Sequence, residues 1–134
     1  MNAGLPLRNV LVTGASSGIG KAIAEELARA GMNVFAGVRS LSYRQAEPRI
    51  QEILLDVTVP VAIAAAVVEI AARTDNGEFD ALINNAGIGT ISPVEFTSAA
   101  EMRRIFDVNV FGLLEVTRAF LPLLHKSGGS IVNI

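Results

Sequence analysis

Continuous apolar runs alternate along the chain with segments in which apolar residues recur every four positions. The runs predict strands, and the four-residue spacing predicts helices. Residues 9–13, Asn-Val-Leu-Val-Thr, contain an unbroken apolar run that is typical of a parallel strand buried on both faces. Ile19, Ile23 and Leu27 then recur every four residues, which is the spacing of an amphipathic helix. Gly31 marks the end of this helix, because glycine readily adopts the left-handed conformation of a helix cap.

The same alternation continues along the rest of the chain. Further strands are predicted over residues 33–38, 50–55, 79–83 and 130–134, and further helices from 58 or 59 to about 74 and from about 98 to 124. The connection over residues 40–49 is short for a parallel crossover, and we expect one or two helical turns in it. Strands and helices in alternation predict an α/β fold, a single domain over residues 1–134 with a doubly wound parallel sheet of about five strands.

The long helix over residues 98–124 has an apolar stripe that we expect to be buried. It consists of Met102, Ile105, Phe106, Val110, Leu113, Val116, Phe120 and Leu124. Asn109 falls inside this stripe, and an amide that faces a core is costly unless it is hydrogen-bonded. We therefore expect Asn109 to bond backbone, water or a ligand, and the pattern alone favours a satisfied core asparagine.

Three glycines separate the first strand from the first helix. Gly14 allows a tight turn, and Gly18 leaves room for phosphate oxygens. Gly20 allows close packing of the new helix. A glycine triplet also fits a plain strand-to-helix turn. The strand before it and the amphipathic helix after it favour nucleotide binding, with a pyrophosphate at the helix N-terminus.

Polar residues at the ends of later strands are further candidates. Arg39 ends the second strand, where an arginine accommodates a 2′-phosphate, so we favour NADP(H) over NAD(H) and over a solvated charge. Asp56 follows the third strand, and it suits an adenine amino group and a helix cap equally well. Residues 84–87, Asn-Asn-Ala-Gly, follow the fourth strand; they can line a pocket, although their position somewhat favours a structural role.

Composition excludes several classes of function. The longest uncharged apolar stretch, residues 57–68, is shorter than the ~20 residues of a membrane span, and no secretory signal is apparent, so we expect a cytoplasmic protein without a membrane span. The chain has no cysteine and only His125 as histidine, which argues against disulfides and a metal site. A net charge of −2 gives no reason to expect a nucleic-acid partner.

Taken together, the motifs resemble those of the short-chain dehydrogenase/reductase family. They are Thr13-Gly14-Ala15-Ser16-Ser17-Gly18-Ile19-Gly20, Asp56-Val57, Asn84-Asn85-Ala86-Gly87, Asn109 and Ile131-Val132-Asn133-Ile134. The resemblance covers essentially the whole chain but only the amino-terminal half of the family's usual domain. It implies an incomplete Rossmann-type sheet, and residues 35–39 and 107–112 are most similar to the branch that acts on retinol-like and hydroxysteroid-like alcohols.

The resemblance also implies a role for each motif. The phosphates of NADP(H) would lie on Ser16, Ser17, Gly18 and Ile19, and the 2′-phosphate on Arg39. Asp56 would bond the adenine beside the Val57 backbone, and Asn85, Ala86 and Gly87 would line the central part of the cofactor. Asn109 would hold a water of a proton relay, which replaces the structural interpretation of this residue.

The family interconverts alcohols and carbonyls of small molecules by hydride transfer. Its members use a catalytic tyrosine and a lysine that stands four residues after it. The only tyrosine here is Tyr43, and Glu47 stands four residues on, so Tyr43 does not match the catalytic tyrosine. We therefore expect an NADP-dependent oxidoreductase whose present chain is truncated and inactive alone. The alternatives are a non-catalytic nucleotide-binding module and a fragment that needs a partner. The apolar strand over residues 130–134 makes self-association a further expectation.

Overall fold

The computed structural model describes residues 8–42 and 47–134, and within them strands and helices alternate. The strands are β1 (Asn9–Thr13), β2 (Asn33–Val38), β3 (Ile50–Leu54), β4 (Ala81–Asn84) and β5 (Ser130–Asn133). The α-helices are α1 (Gly18–Arg29), α2 (Pro60–Arg73), α3 (Ala99–Phe106) and α4 (Leu113–Ser127), with a π-helical segment, Asp107–Gly112, between the last two. Short 3₁₀ turns occupy Asp75–Gly77 and Val94–Phe96.

All five strands form one parallel sheet in the order β3-β2-β1-β4-β5. The strand order reverses at β1, whose neighbours are β2 on one side and β4 on the other. In open sheets of this kind, the crevice where ligands bind lies at the carboxyl ends of the strands beside such a reversal. The fold is therefore the predicted doubly wound, Rossmann-type sheet, and it places the glycine loop after β1 at this crevice.

Two apolar layers enclose the sheet. On one face α1 contributes Ala24 and Ala28 to a cluster with alternate residues of β1 and β2. On the other face α2 and α4 pack together over the opposite residues, and Phe79 meets Phe120 there with ring centroids 5.1 Å apart. Small side chains on α1 let that helix lie close to the strands, and the glycine loop leads directly into it.

The long helix departs from the prediction in its first half. Val116, Phe120 and Leu124 are buried as expected, and Ile105 and Leu113 are half-buried, but Met102, Phe106 and Val110 are exposed. The single predicted stripe was therefore wrong in this half, where α3 has no buried residue. The physical reason is the π-helical segment, whose hydrogen bonds join residues five apart rather than four and so break the 3.6-residue period of the stripe.

The helix from Ala99 to Ser127 is continuous over 29 residues, and by length and composition it is apolar enough to cross a membrane. Core helices of soluble domains meet the same criterion. This helix buries Val116, Phe120 and Leu124 against the sheet. The absence of a membrane span and the cytoplasmic location both stay predictions.

The connection between β2 and β3 is only partly described. Ser40, Leu41 and Ser42 are not helical, and residues 47–49 form a turn that leads into β3. Residues 43–46 lie outside the described residues, and with them the helical turns expected there and Tyr43. Among the described residues of this connection, none is in a helix.

Hydrogen bonds join the end of β1 to the segment that follows β4. The hydroxyl of Thr13, which is 1% exposed, accepts the N–H groups of Asn85 and Ala86 at 3.0 and 2.9 Å. In return, the side-chain amide of Asn85 donates to the carbonyls of Thr13 and Gly14 at 3.0 and 3.1 Å. The backbones are so close that a Cβ atom at Gly14 would lie 2.8 Å from the Cα of Ala86. These bonds hold the loops after β1 and β4 in one fixed arrangement.

We expect Thr13→Val to destabilise the fold, because it removes the shared acceptor and leaves two N–H groups without it. The expected loss is about 1–3 kcal/mol in the free energy of unfolding. Urea unfolding followed by circular dichroism measures it. Thr74→Val is the matched control, since the Thr74 hydroxyl only donates a long 3.4 Å bond to Ala71. Equal effects of the two substitutions would contradict this account.

Candidate functional site

A cavity of about 490 Å³ opens at the carboxyl ends of the strands, on both sides of β1. Its volume lies within the range of small-molecule and cofactor sites. Four segments that follow strands line it, together with one face of the long helix. The lining residues are Gly14, Ser16, Ser17, Ile19, Gly20, Gly37, Val38, Arg39, Leu55, Asp56, Val57, Thr58, Asn85, Ala86, Gly87, Ile88, Arg104 and Val108.

The cavity brings together all the residues expected to bind a cofactor except Gly18, while Asn109 is not part of its lining. Gly18 lies at the start of α1 with a φ of +56°, and a Cβ atom there would have no neighbour within 4 Å. The open space above Gly18 agrees with the expected room for phosphate oxygens. Its positive φ gives a second reason for glycine at this position.

Gly20 differs in detail from the role expected of the third glycine. A Cβ atom at Gly20 would collide with the carbonyl of Gly14 and with the side-chain amide of Asn85. The close contact is therefore with the glycine loop itself and with the segment after β4. Glycine at position 20 allows the first turn of α1 to lie under the cavity.

The first turn of α1 is suited to an anion. Ser17 caps the helix in an extended conformation without a side-chain hydrogen bond to it, and no acidic residue lies in the first turn. The first N–H groups of a helix have no partner within it, and the helix dipole adds partial positive charge there. Since Ser17, Ile19 and Gly20 line the cavity, these N–H groups are available to a phosphate.

Asp56 and Arg39 form the charged end of the cavity. One oxygen of Asp56, Oδ1, accepts the Thr58 hydroxyl at 2.7 Å and the Thr58 N–H at 2.9 Å. These two bonds lower the pKa of Asp56 below its ordinary value of 3.8, and the charge of Arg39 lowers it further, whereas desolvation acts in the opposite direction. The carboxylate is therefore ionised near neutral pH. Asp56 closes the turn at Thr58, but the N-cap of α2 is Val59 without a side-chain hydrogen bond, so the helix-cap alternative for Asp56 was wrong. Asp56 also lines the cavity, and its contact with an adenine stays a prediction.

Asn109 fastens the loop after β4 to the long helix. Its Nδ2 donates to the carbonyl of Ile88 at 2.8 Å, and its Oδ1 accepts the N–H of Ile88 at 2.9 Å. The residue is exposed, so the expectation that it lies in a buried stripe was wrong. The π-helical segment turns its side chain toward Gly87 and Ile88. The expected backbone partner is confirmed.

Several lining residues were missed by sequence analysis. Gly37 sits where a Cβ atom would lie 3.2 Å from Leu55 and 3.3 Å from the carbonyl of Val12, so it keeps β2 close to its neighbours. Thr58 was considered only as a helix start, although the Asp-x-Thr spacing is a signal for a side-chain turn. Arg104 and Val108 gave no signal, because the pattern of a helix does not show which face reaches a cavity.

Known proteins resemble this chain in sequence over most of its length. The family model for short chain dehydrogenases matches residues 8–134. The 17-beta-hydroxysteroid dehydrogenase type 2 of Homo sapiens is 39% identical and Retinol dehydrogenase 7 of Mus musculus 37%, each alignment covering 93% of this chain. The chain spans only 34% and 41% of the length of these two relatives. The names of these two relatives agree with the retinol and hydroxysteroid branch indicated by the motifs.

Solved structures share this fold, and the two described next contain NADP and NADH, respectively. The structure of ElxO with NADP bound has a TM-score of 0.85 at 27% identity, over 95% of this chain and 54% of that one. A 3-ketoacyl-(acyl-carrier-protein) reductase from Brucella melitensis, complexed with NADH, has a TM-score of 0.86 at 28% identity, over 94% and 55%. From the family match, the relatives and the fold, this chain belongs to the short-chain dehydrogenase family of oxidoreductases.

Proposed function

We propose that this chain binds NADP(H) for an oxidoreductase that interconverts a small-molecule alcohol and a carbonyl. The observation that carries the proposal is the cavity itself, which is lined both by the first turn of α1 and by Arg39. A helix N-terminus suits a pyrophosphate, and an arginine at the end of β2 suits a 2′-phosphate. A bound nicotinamide would accept or donate the hydride.

The described residues fit such a cofactor. Gly18 leaves open space at the start of α1, although it does not itself line the cavity, and Ser16 and Ser17 bring hydroxyl groups to the cavity wall. We assign the phosphates to this wall and the adenine to the end that contains Asp56 and Val57. Asn85, Ala86 and Gly87 then line the middle of the cavity, held there by Thr13.

Arg39 supports NADP(H) over NAD(H). Its charge helps to lower the pKa of Asp56, so the two groups lie close enough to interact at one end of the cavity. No residue between Val34 and Leu41 is acidic, and an acidic residue near this strand end is what binds the 2′-hydroxyl of NAD. Arginine pairs strongly with phosphate through parallel hydrogen bonds.

We assign Asn109 to a proton relay, in which it helps to hold a water near the reacting oxygen. Its position supports this role, since it lies in the π-helical segment between Val108, which lines the cavity, and the rest of the helix. Its side chain fixes Ile88 at the rim of the cavity. The names of the relatives favour an apolar alcohol, such as a steroid or a retinoid, as substrate.

A non-catalytic nucleotide-binding module is the second candidate. Within the sequence given, the single tyrosine is Tyr43, and Glu47 rather than lysine stands four residues later. The pair of a tyrosine and a lysine that the family uses as acid and base is thus not among these 134 residues. If a partner chain supplied the tyrosine and the lysine, the assembly would have the oxidoreductase function of the first candidate.

Arg39→Ala should remove the preference for NADPH. Loss of a charge-assisted contact with the 2′-phosphate weakens NADPH binding by about 10-fold to 100-fold, and leaves NADH binding nearly unchanged. Isothermal titration of both cofactors measures the two affinities. Arg118→Ala, at an exposed position of α4, is the matched control. An unchanged preference in the Arg39 variant would exclude the 2′-phosphate role.

The polypeptide of these 134 residues should bind NADPH without turning over a ketone, because it contains no tyrosine and lysine at the required spacing. NADPH consumption at 340 nm in the presence of a steroid or aliphatic ketone measures turnover. Ketone reduction that is lost in Asn109→Ala would contradict this expectation.

The same polypeptide should self-associate. Phe106 and Phe111 of the long helix and Ile131 and Val132 of the edge strand β5 are 40–56% exposed, and exposed apolar edges and patches favour association. Sedimentation velocity over a range of concentrations tests this. A monodisperse monomer that melts in one sharp transition would contradict it.

A further inference from the structure

Arg104 is a second arginine of the cavity, and none of the motifs accounts for it. It lies on α3 and contributes to the lining of the cavity. Within residues 8–42 and 47–134, it takes part in none of the ion pairs and none of the side-chain hydrogen bonds. An exposed arginine at a cavity wall, without a protein partner in the described chain, is free to contact a ligand.

The packing of the long helix fixes the position of Arg104. A Cβ atom at Gly112 would lie 2.8 Å from Cγ2 and 2.9 Å from the carbonyl of Val57, so the helix touches the segment after β3 there. Val108, four residues before Gly112, packs on the core and lines the cavity. Arg104 lies four residues earlier still. Arg104 and Val108 of this helix line the same cavity as Asp56, Val57 and Thr58.

The two arginines are in different surroundings. The charge of Arg39 acts on the carboxylate of Asp56, whereas that of Arg104 is not among the influences on this group. Arg39 therefore lies at the charged corner of the site. Arg104 approaches from the helix layer, next to the apolar side chain of Val108.

We propose that Arg104 binds the adenine of the cofactor, with its guanidinium plane stacked on the base. This assignment rests on the proposed function, which places the adenine beside Asp56 and Val57. Guanidinium groups are planar and weakly hydrated, and they stack on aromatic rings, which lysine cannot do in the same way. Because the adenine is common to NADPH and NADH, Arg104 contributes equally to the binding of both, while Arg39 distinguishes them.

Isothermal titration of NADPH, NADH and ADP against the whole chain tests the assignment. The variants are Arg104→Ala, Arg104→Lys, which keeps the charge but not the plane, and Arg103→Ala as control. Arg103 is the neighbouring exposed residue of α3, and it borders a separate hollow with Met102 and Phe106. Circular dichroism melts of the free variants verify that each one is folded.

Arg104→Ala should weaken all three ligands by a similar factor, about 3-fold to 30-fold, and Arg104→Lys should recover little of it. Arg103→Ala should bind like the wild type. A loss confined to NADPH would indicate a phosphate contact and overturn the assignment, as would full recovery with lysine or no change in Arg104→Ala. If the wild type binds none of the three ligands, the proposed function itself is contradicted.

Discussion

The hydroxyl of Thr13 is the acceptor on which the arrangement of the site depends. It lies at the end of the central strand, and it holds the two N–H groups with which the segment after β4 begins. The amide of Asn85 completes the connection by binding the carbonyls of Thr13 and Gly14. Since the backbones meet at Gly14 and Gly20, both positions exclude a larger side chain. The glycine loop is thus held by a neighbouring strand end and by its own helix.

A second polar cluster, at the same carboxyl end of the sheet, joins β4 to the edge strand β5 and to α4. The buried amide of Asn84 donates to Thr117 of α4 at 3.0 Å and to Asn133 of β5 at 2.9 Å, while its own Oδ1 is buried without a hydrogen bond among the described residues. A buried oxygen without a hydrogen bond is costly, and the two bonds that the amide donates offset part of that cost. The first asparagine of the Asn-Asn-Ala-Gly motif therefore acts on the sheet, and the second acts on the site.

The local patterns of the sequence were sufficient for β1 and β2, whose observed bounds agree with those predicted, because each is a short apolar run closed by turn residues. The sequence patterns also predicted the cavity-lining residues that follow the strands, because polar residues at the carboxyl ends of parallel strands meet at one edge of the sheet. They failed where tertiary structure decides. A 3.6-residue period does not reveal the π-helical segment, so Asn109 was placed in a core that it does not enter. Nor does a helical pattern show that the face of the helix with Arg104 lines the cavity.

The long helix connects the two ends of the proposed site. Its Gly112 contacts Val57, at the end proposed for the adenine, while Asn109 in the preceding turn fixes Ile88 at the rim. The π-helical segment contains both Asn109 and Gly112, so both contacts come from the same irregular turn. A change that regularised this turn would therefore shift Arg104 and Asn109 together. Under the proposed function, the adenine of the cofactor and the relay water would both depend on this one turn of the helix.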